Sequence, residues 1–139
     1  MMTTIKPVTI IAVLLLLLSA CATTRRTDLY FGLNIPGGGQ VSKEQWQWFS
    51  DSVVALRFPE GYTERDATGK WRDTQLHTTI TEQTKVLTFI GKKSRQRQAH
   101  LDTLMQVYMQ RYQQQAVLRM DVKGRMWLEA LRGNEALRH

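Results

Sequence analysis

Thr27-Asp28-Leu29-Tyr30-Phe31-Gly32-Leu33-Asn34-Ile35 is the stretch on which the fold turns. Leu29, Phe31, Leu33 and Ile35 alternate with Asp28, Tyr30, Gly32 and Asn34, so one set faces a core and the other faces away, as in a half-buried strand. Pro36-Gly37-Gly38-Gly39-Gln40 breaks the alternation. Ser42-Lys43-Glu44-Gln45 then reads as a capping box, with Ser42 as N-cap and Gln45 three residues on. Behind it, Trp46, Phe49, Val53 and Leu56 recur at spacings of three, four and three, one face of a helix that stops before Pro59 and Gly61.

The rest of the chain supplies the partners of this strand and helix. Tyr62 to Ala67 predicts a second strand, polar enough for a sheet edge. Thr68-Gly69 reads as a turn, Lys70-Trp71-Arg72 as extended, and residues 73–77 as a loop. Thr78 to Ile90 is the most β-prone run, long enough to kink near Gln83-Thr84, and its apolar end suits a central strand. Gly91-Lys92-Lys93 reads as a turn. Ser94 can cap a second helix running to about Gln114, with Leu101, Leu104, Met105, Tyr108 and Tyr112 on its apolar face. Ala116 to Val122 alternates again, with Leu118, Met120 and Val122 expected inward and Val117, Arg119 and Asp121 outward.

Strand, helix, strand, strand, helix, strand is the order of the split βαβ, ferredoxin-like arrangement. It predicts an α+β domain, a four-stranded antiparallel sheet with two helices on one face, because right-handed crossovers bring both helices to the same side. Strands one and three then lie centrally. Trp46, Phe49, Leu104 and Tyr108 are expected to pack on Leu29, Phe31, Leu118 and Met120.

Ahead of the domain, residues 1–20 have the parts of an export signal: Lys6, an apolar run from Val8 to Leu18, and small residues Ser19 and Ala20 before Cys21. The run is shorter than the roughly 20 residues a membrane span needs. Leu18-Ser19-Ala20-Cys21 resembles the bacterial lipobox. That resemblance implies cleavage before Cys21, lipidation of its sulfur, and palmitate-type acylation of the new amine. By resemblance to diderm lipoproteins, Ala22, with no Asp at that position, favours the outer membrane facing the periplasm. An ordinary cleaved signal with a chance cysteine is the plainer alternative. Cys21 is the single cysteine, so no internal disulfide can form. Residues 21–27 would be the lipidated cysteine and its tether, whose six residues after Cys21 reach at most about 21 Å. Residues 28–122 form the domain. Residues 123–139 form a basic tail whose Met126, Trp127, Ala130 and Leu131 suit a short helix.

The 139 residues hold 19 Lys and Arg against 12 Asp and Glu, a net of +7. Losing residues 1–20 removes only Lys6 and leaves +6. Such a balance suits anionic headgroups or polyanionic glycans. Export argues against nucleic acid, and adjacent Tyr30 and Phe31 point to opposite sheet faces, unlike an RNA-binding platform.

Asp28-Leu29-Tyr30-Phe31-Gly32, Arg57-Phe58-Pro59-Glu60-Gly61, Asp66-Ala67-Thr68-Gly69-Lys70-Trp71-Arg72, Lys85-Val86-Leu87 and Tyr112-Gln113-Gln114-Gln115-Ala116-Val117-Leu118-Arg119 come in this order. Together they resemble the domain-of-unknown-function family 3574 of small bacterial proteins, many of them lipoproteins. The resemblance spans roughly residues 28–122. It implies a fold, and no established activity, cofactor or catalytic set.

Two constellations remain. Asp66, Trp71, Arg72, Glu82 and Lys85 gather around the strand 2–3 hairpin, where they would line a polar ligand pocket with Asp66 or Glu82 as acid/base. The plainer reading is a solvated hairpin with ordinary cross-strand charge pairs. Tyr30, Gly32, Asn34, Arg119 and Asp121 are expected on the uncovered sheet face, as a homodimer, envelope-partner or ligand surface, or simply as solvated residues. His77, His100 and His139 lack ligand spacing, so no metal is expected. No nucleophile elbow or phosphate loop is present, so no cofactor is expected. The sequence therefore reads as a lipid-anchored envelope domain, a non-enzymatic binding or structural module, with a ligand site or enzyme at the hairpin as the alternative.

Overall fold

A computed structural model describes residues 24–126. β1 (Thr24–Gly32), β2 (Thr63–Asp73), β3 (Thr78–Lys92) and β4 (Leu118–Gly124) form one sheet in the order β2-β3-β1-β4, every neighbouring pair antiparallel. Helix α1 (Lys43–Phe49) runs on through a π-helical turn at Ser50–Val54, and α2 is Arg95–Arg111. This is the expected ferredoxin-like α+β arrangement, with β1 and β3 central.

Local signals set the helix starts. Ser42 Oγ accepts from Gln45 N–H at 3.1 Å, and Gln45 Oε1 accepts from Ser42 N–H at 2.8 Å, so two orphan amides are satisfied reciprocally. Ser94 Oγ takes Arg97 N–H at 3.0 Å. The core lies between sheet and helices. Phe31 is its centre, packed edge-on against Trp46, Phe49 and Tyr108 at ring-centroid distances of 5.6, 5.4 and 4.7 Å. Leu29, Leu87, Phe89, Leu101 and Leu104 complete it. Tyr108 Oη donates to Gly32 O, and Tyr112 Oη to Gln45 O, both at 2.8 Å, tying α2 to the sheet and to α1. Burial holds the Tyr108 hydroxyl far above its ordinary pKa.

Several expectations need correction. Leu56 is exposed, not on the buried face of α1; Val54 and Phe58 are buried instead. The cause is the π turn, where Ala55 N–H reaches Ser50 O, because its extra residue rotates everything beyond it. Thr68-Gly69 is no turn. β2 is continuous, with Gly69 opposite Glu82, and its unbroken register to β3 excludes a break at Gln83-Thr84. β3 runs on through Gly91-Lys92, and β1 is already paired at Thr24, within the expected tether.

The largest correction concerns β4. Leu118 pairs with Tyr30, and Arg119 with Leu29, so Leu118, Met120 and Val122 lie on the uncovered face while Arg119 and Asp121 lie on the helix side. Polar ties hold this orientation. Arg119 Nη1 reaches Asp102 of α2 at 3.3 Å, its Nη2 donates to Gln98, and its Nε donates to Asp121 at 2.9 Å. Asp121 also accepts from the buried Thr27 hydroxyl at 2.6 Å. Burial pulls the Asp121 carboxyl up, but Thr27 and Arg119 outweigh it and hold it below the ordinary range.

Candidate functional site

Among the described residues, helices cover only one face of the sheet, so the other face is where side chains are free to meet a ligand. Along it, register stacks four rows: Leu118, Tyr30, Val86 and Arg65; then Gly32, Thr84 and Ala67; then Glu82 and Gly69; then Ile80 and Trp71. The middle rows are built largely from Gly and Ala. They form a trough between two aromatics, Tyr30 at one end and Trp71 at the other. The result is a concavity of about 440 Å³, rimmed by Gln114, Ala116 and Leu118 from the α2–β4 segment. A second hollow of about 410 Å³ shares Trp71, Glu82, Gln114 and Ala116 with it and extends it toward Asn34 and Pro36.

Glu82 is the charge in this trough. Its carboxylate lies over Gly32, where a Cβ would stand 2.7 Å from Glu82 Cδ. Only a glycine leaves room for it. Glu82 Oε1 accepts from Asn34 N–H at 3.1 Å, and Asn34 O accepts from Gln114 Nε2 at 2.7 Å, so the rim and the acid are positioned by the same residue. The Asn34 side chain is engaged elsewhere, accepting from Gln40 Nε2 at 2.9 Å. Trp71 is half-exposed, a flat apolar wall with one side open.

The hairpin constellation is thus divided by the sheet. Trp71 and Glu82 meet on the uncovered face. Asp66, Arg72 and Lys85 point to the helix side, since Asp66 pairs with Lys85 and Arg72 with Thr79. There Lys85 Nζ binds Asp66 at 2.6 Å and Glu64 at 3.3 Å, while Trp46 Nε1 donates to Glu64 at 2.8 Å. The hydrogen bond to Asp66 is the main cause of the raised Lys85 pKa; burial opposes it. These groups clamp α1 to the hairpin, and Asp66 and Glu82 cannot serve one substrate as an acid–base pair. Of the expected sheet-face set, Tyr30 and Gly32 lie in the site and Asn34 supplies its backbone, whereas Arg119 and Asp121 lie behind the sheet.

Gly69, Ala67 and Gln114 were not legible as site residues. The sequence signal for Gly69 was its parity with Trp71, hidden by its likeness to a turn glycine. Among the described residues, no group of three His, Cys, Asp or Glu is placed to hold a metal ion. His100 Nδ1 lies 3.0 Å from Arg57 O, a structural contact. Nor is any described helix long and apolar enough to cross a membrane.

Fold and site together define a ferredoxin-like α+β domain with a concave site on its uncovered sheet face. The family model described as protein of unknown function DUF3574 matches residues 26–127, and the chain belongs to that family. No curated protein matches the sequence. Among solved structures, a phage SAM lyase in complex with S-methyl-5'-thioadenosine is similar in fold, with a TM-score of 0.55 at 13% identity over 72% of this chain and 81% of that one. Its apo state gives 0.54 at 12% identity, over 75% and 83% of the two chains. CutA from Synechococcus elongatus gives 0.47 at 10%, over 75% and 79%.

Proposed function

We propose that this chain is a non-enzymatic, lipid-anchored envelope protein whose domain binds a small ligand in the trough between Tyr30 and Trp71. One observation carries the reading: the Glu82 carboxylate is seated over Gly32, fixed by Asn34 N–H, in a concavity otherwise lined by uncharged residues, Tyr30 and Trp71 among them. A carboxylate between two aromatic faces favours a cation that carries a planar ring, since the ring stacks on Trp71 while both π faces and the acid attract positive charge. Asp66 and Arg72 project behind the sheet, which leaves Glu82 without the partner that acid–base chemistry at the hairpin would use.

A nucleoside sulfonium and a neutral nucleoside thioether probe this chemistry, and the similarly folded lyase named above suggests SAM and S-methyl-5'-thioadenosine, which share the adenosine and differ in the sulfonium charge and the amino-acid group. Calorimetric titration is expected to give saturable binding of SAM that weakens about tenfold or more in Glu82→Gln, with a smaller change for the thioether. Trp71→Ala should weaken both. Flat titrations with both probes would remove this ligand class. Anchoring is tested separately: Cys21→Ala is expected to shift the protein from the membrane to the soluble fraction, and an unchanged membrane fraction refutes lipidation.

A further inference from the structure

The trough lies at one pole of the sheet, and the opposite pole has a different chemistry. There the start of β1 meets the ends of β3 and β4. Thr24 pairs with Lys92 on one side and Gly124 on the other, and Arg25 stands beside Lys123. Lys93, Arg95 and Arg125 follow directly and are exposed. On the uncovered face at this pole, Ile90 and Val122 flank Arg26, each about half exposed, so apolar groups stand among the charges. Of the nearby acids, Asp28 is buried and paired with Arg26 at 2.9 Å, and Asp121 is paired with Arg119. Neither offsets the lysines.

A cavity of about 390 Å³ opens at the same pole, lined in part by Arg57, Lys92, Ser94, Arg97 and His100, with Glu60 as its one acid. Arg97 is more than nine-tenths buried, yet it has no carboxylate within ion-pair range among the described residues. Its guanidinium donates to two neutral acceptors, Thr27 Oγ1 and Phe89 O, both at 3.1 Å. Burial lowers its pKa, the more distant charges of Asp121 and Glu60 oppose, and the positive charges of Arg119 and Arg25 lower it further. The Arg25 Nε is buried and has no hydrogen-bond partner among the described residues. A buried cation without a counter-ion is costly, and an arriving anion offsets that cost. The amino end of α2, capped by Ser94, points its partial positive charge the same way.

We infer that this pole is a docking surface for an anionic bilayer, with the basic strand ends on the phosphate layer and one lipid phosphodiester entering the cavity beside Arg97. Charge complementarity names the partner. The place where the chain enters supports it, because Thr24, already paired at this pole, lies only three positions after Cys21. That last point rests on the lipid-anchor reading; the charges do not. β1 then carries the chain about 27 Å from this pole to Gly32, so the trough is held away from the bilayer.

The test uses the full chain with vesicles of phosphatidylcholine alone or mixed with phosphatidylglycerol, read by flotation and by amide hydrogen exchange. The expected result is exchange about tenfold slower at residues 24–26, 90–97 and 122–126 on the anionic vesicles, with the hairpin tip at 73–78 unchanged. High salt should abolish the difference, as should the combined Lys92→Glu, Lys123→Glu and Arg125→Glu variant, whose changes are all at exposed positions. Equal exchange on the two vesicle types overturns the proposal, as does equal slowing by inorganic phosphate on neutral vesicles. Flotation separates the two readings. A chain that floats with neutral vesicles without composition-dependent protection retains its anchor and loses the docking surface. One that floats only with anionic vesicles, protected at this pole, loses the anchor and retains the docking surface.

Discussion

The two faces of the sheet are built from the same four strands and treated in opposite ways. Behind the sheet, aromatic rings interlock around Phe31, and polar side chains are spent on ties between layers: Tyr108 to Gly32, Arg97 to Thr27, Arg119 to Asp102. In front, the central rows are thinned to Gly32, Gly69 and Ala67, while Trp71, Leu118 and Met120 remain half-exposed or more. A face whose side chains hold the fold cannot readily be changed for another purpose. A face with small residues and unspent aromatics can, and that is where a ligand site costs the fold least.

The strongest way to break this contrast is to attack the packed face. Phe31→Ala removes the ring that packs against three other aromatics, and such truncations cost about 3–5 kcal/mol. Domains of this size have only about 5–15 kcal/mol in total, so denaturant titration should show most of the stability gone. A loss below about 1 kcal/mol would mean that the core is not where it is placed. Gly32→Ala comes next and adds its methyl to the other face of the same strand. Glu82 is flexible and can swing aside, leaving the Asn34 amide without its acceptor, a cost of about 1 kcal/mol. Stability should fall modestly while ligand binding falls as far as in Glu82→Gln. Equal binding by Gly32→Ala would show that the seat of the carboxylate is irrelevant to the site.

Much of the packed face was legible in the sequence because its signals are local. Period two in β1, the Ser42–Gln45 capping box and the α2 stripe from Leu101 to Tyr112 each specify structure within a dozen residues. β4 was read inside out for the opposite reason. Its pattern alternates as cleanly as that of β1, but the apolar set faces outward because Arg119 and Asp121 find partners on α2 and β1, far away in sequence. The π turn that exposes Leu56 is likewise invisible to a fixed helical period. The site was half legible. Trp71 and Glu82 declared their chemistry, but which face they share depends on the parity of Gly69, and a glycine after Thr68 looks like a turn.

To acid, in contrast, the two faces should respond alike. On the uncovered face, burial raises the Asp28 carboxyl, but the Thr88 hydroxyl, at 2.6 Å, and Arg26 outweigh it and bring it below the ordinary carboxylate value. A carboxyl lowered on folding stabilises the native state above its unfolded pKa, and that contribution is lost as pH falls through the lowered value. Asp121, lowered in the same way behind the sheet, titrates in the same window. Stability measured from neutral pH downward should therefore hold to about pH 4 and then decline. Asp28→Asn should flatten part of that decline at the cost of lower stability at neutral pH. A variant with an unchanged acid limb would mean that Asp28 is not held by Thr88 and Arg26.

The smallest effect belongs to Met120→Lys, and it tests the outward reading of β4 directly. Inside a core, a lysine in place of methionine is severely destabilising, because an ammonium without a counter-ion loses its hydration. Here Met120 is half-exposed and lies directly across from Asp28 on the same face. A lysine there keeps its stem on the sheet and its ammonium in water near a carboxylate, an arrangement that contributes little in either direction. The expected change is within about 0.5 kcal/mol, with no change in sedimentation. A loss several times larger would mean that Met120 is covered, and a shift from a larger species to a smaller one in the variant would identify the cover as a second copy of the chain.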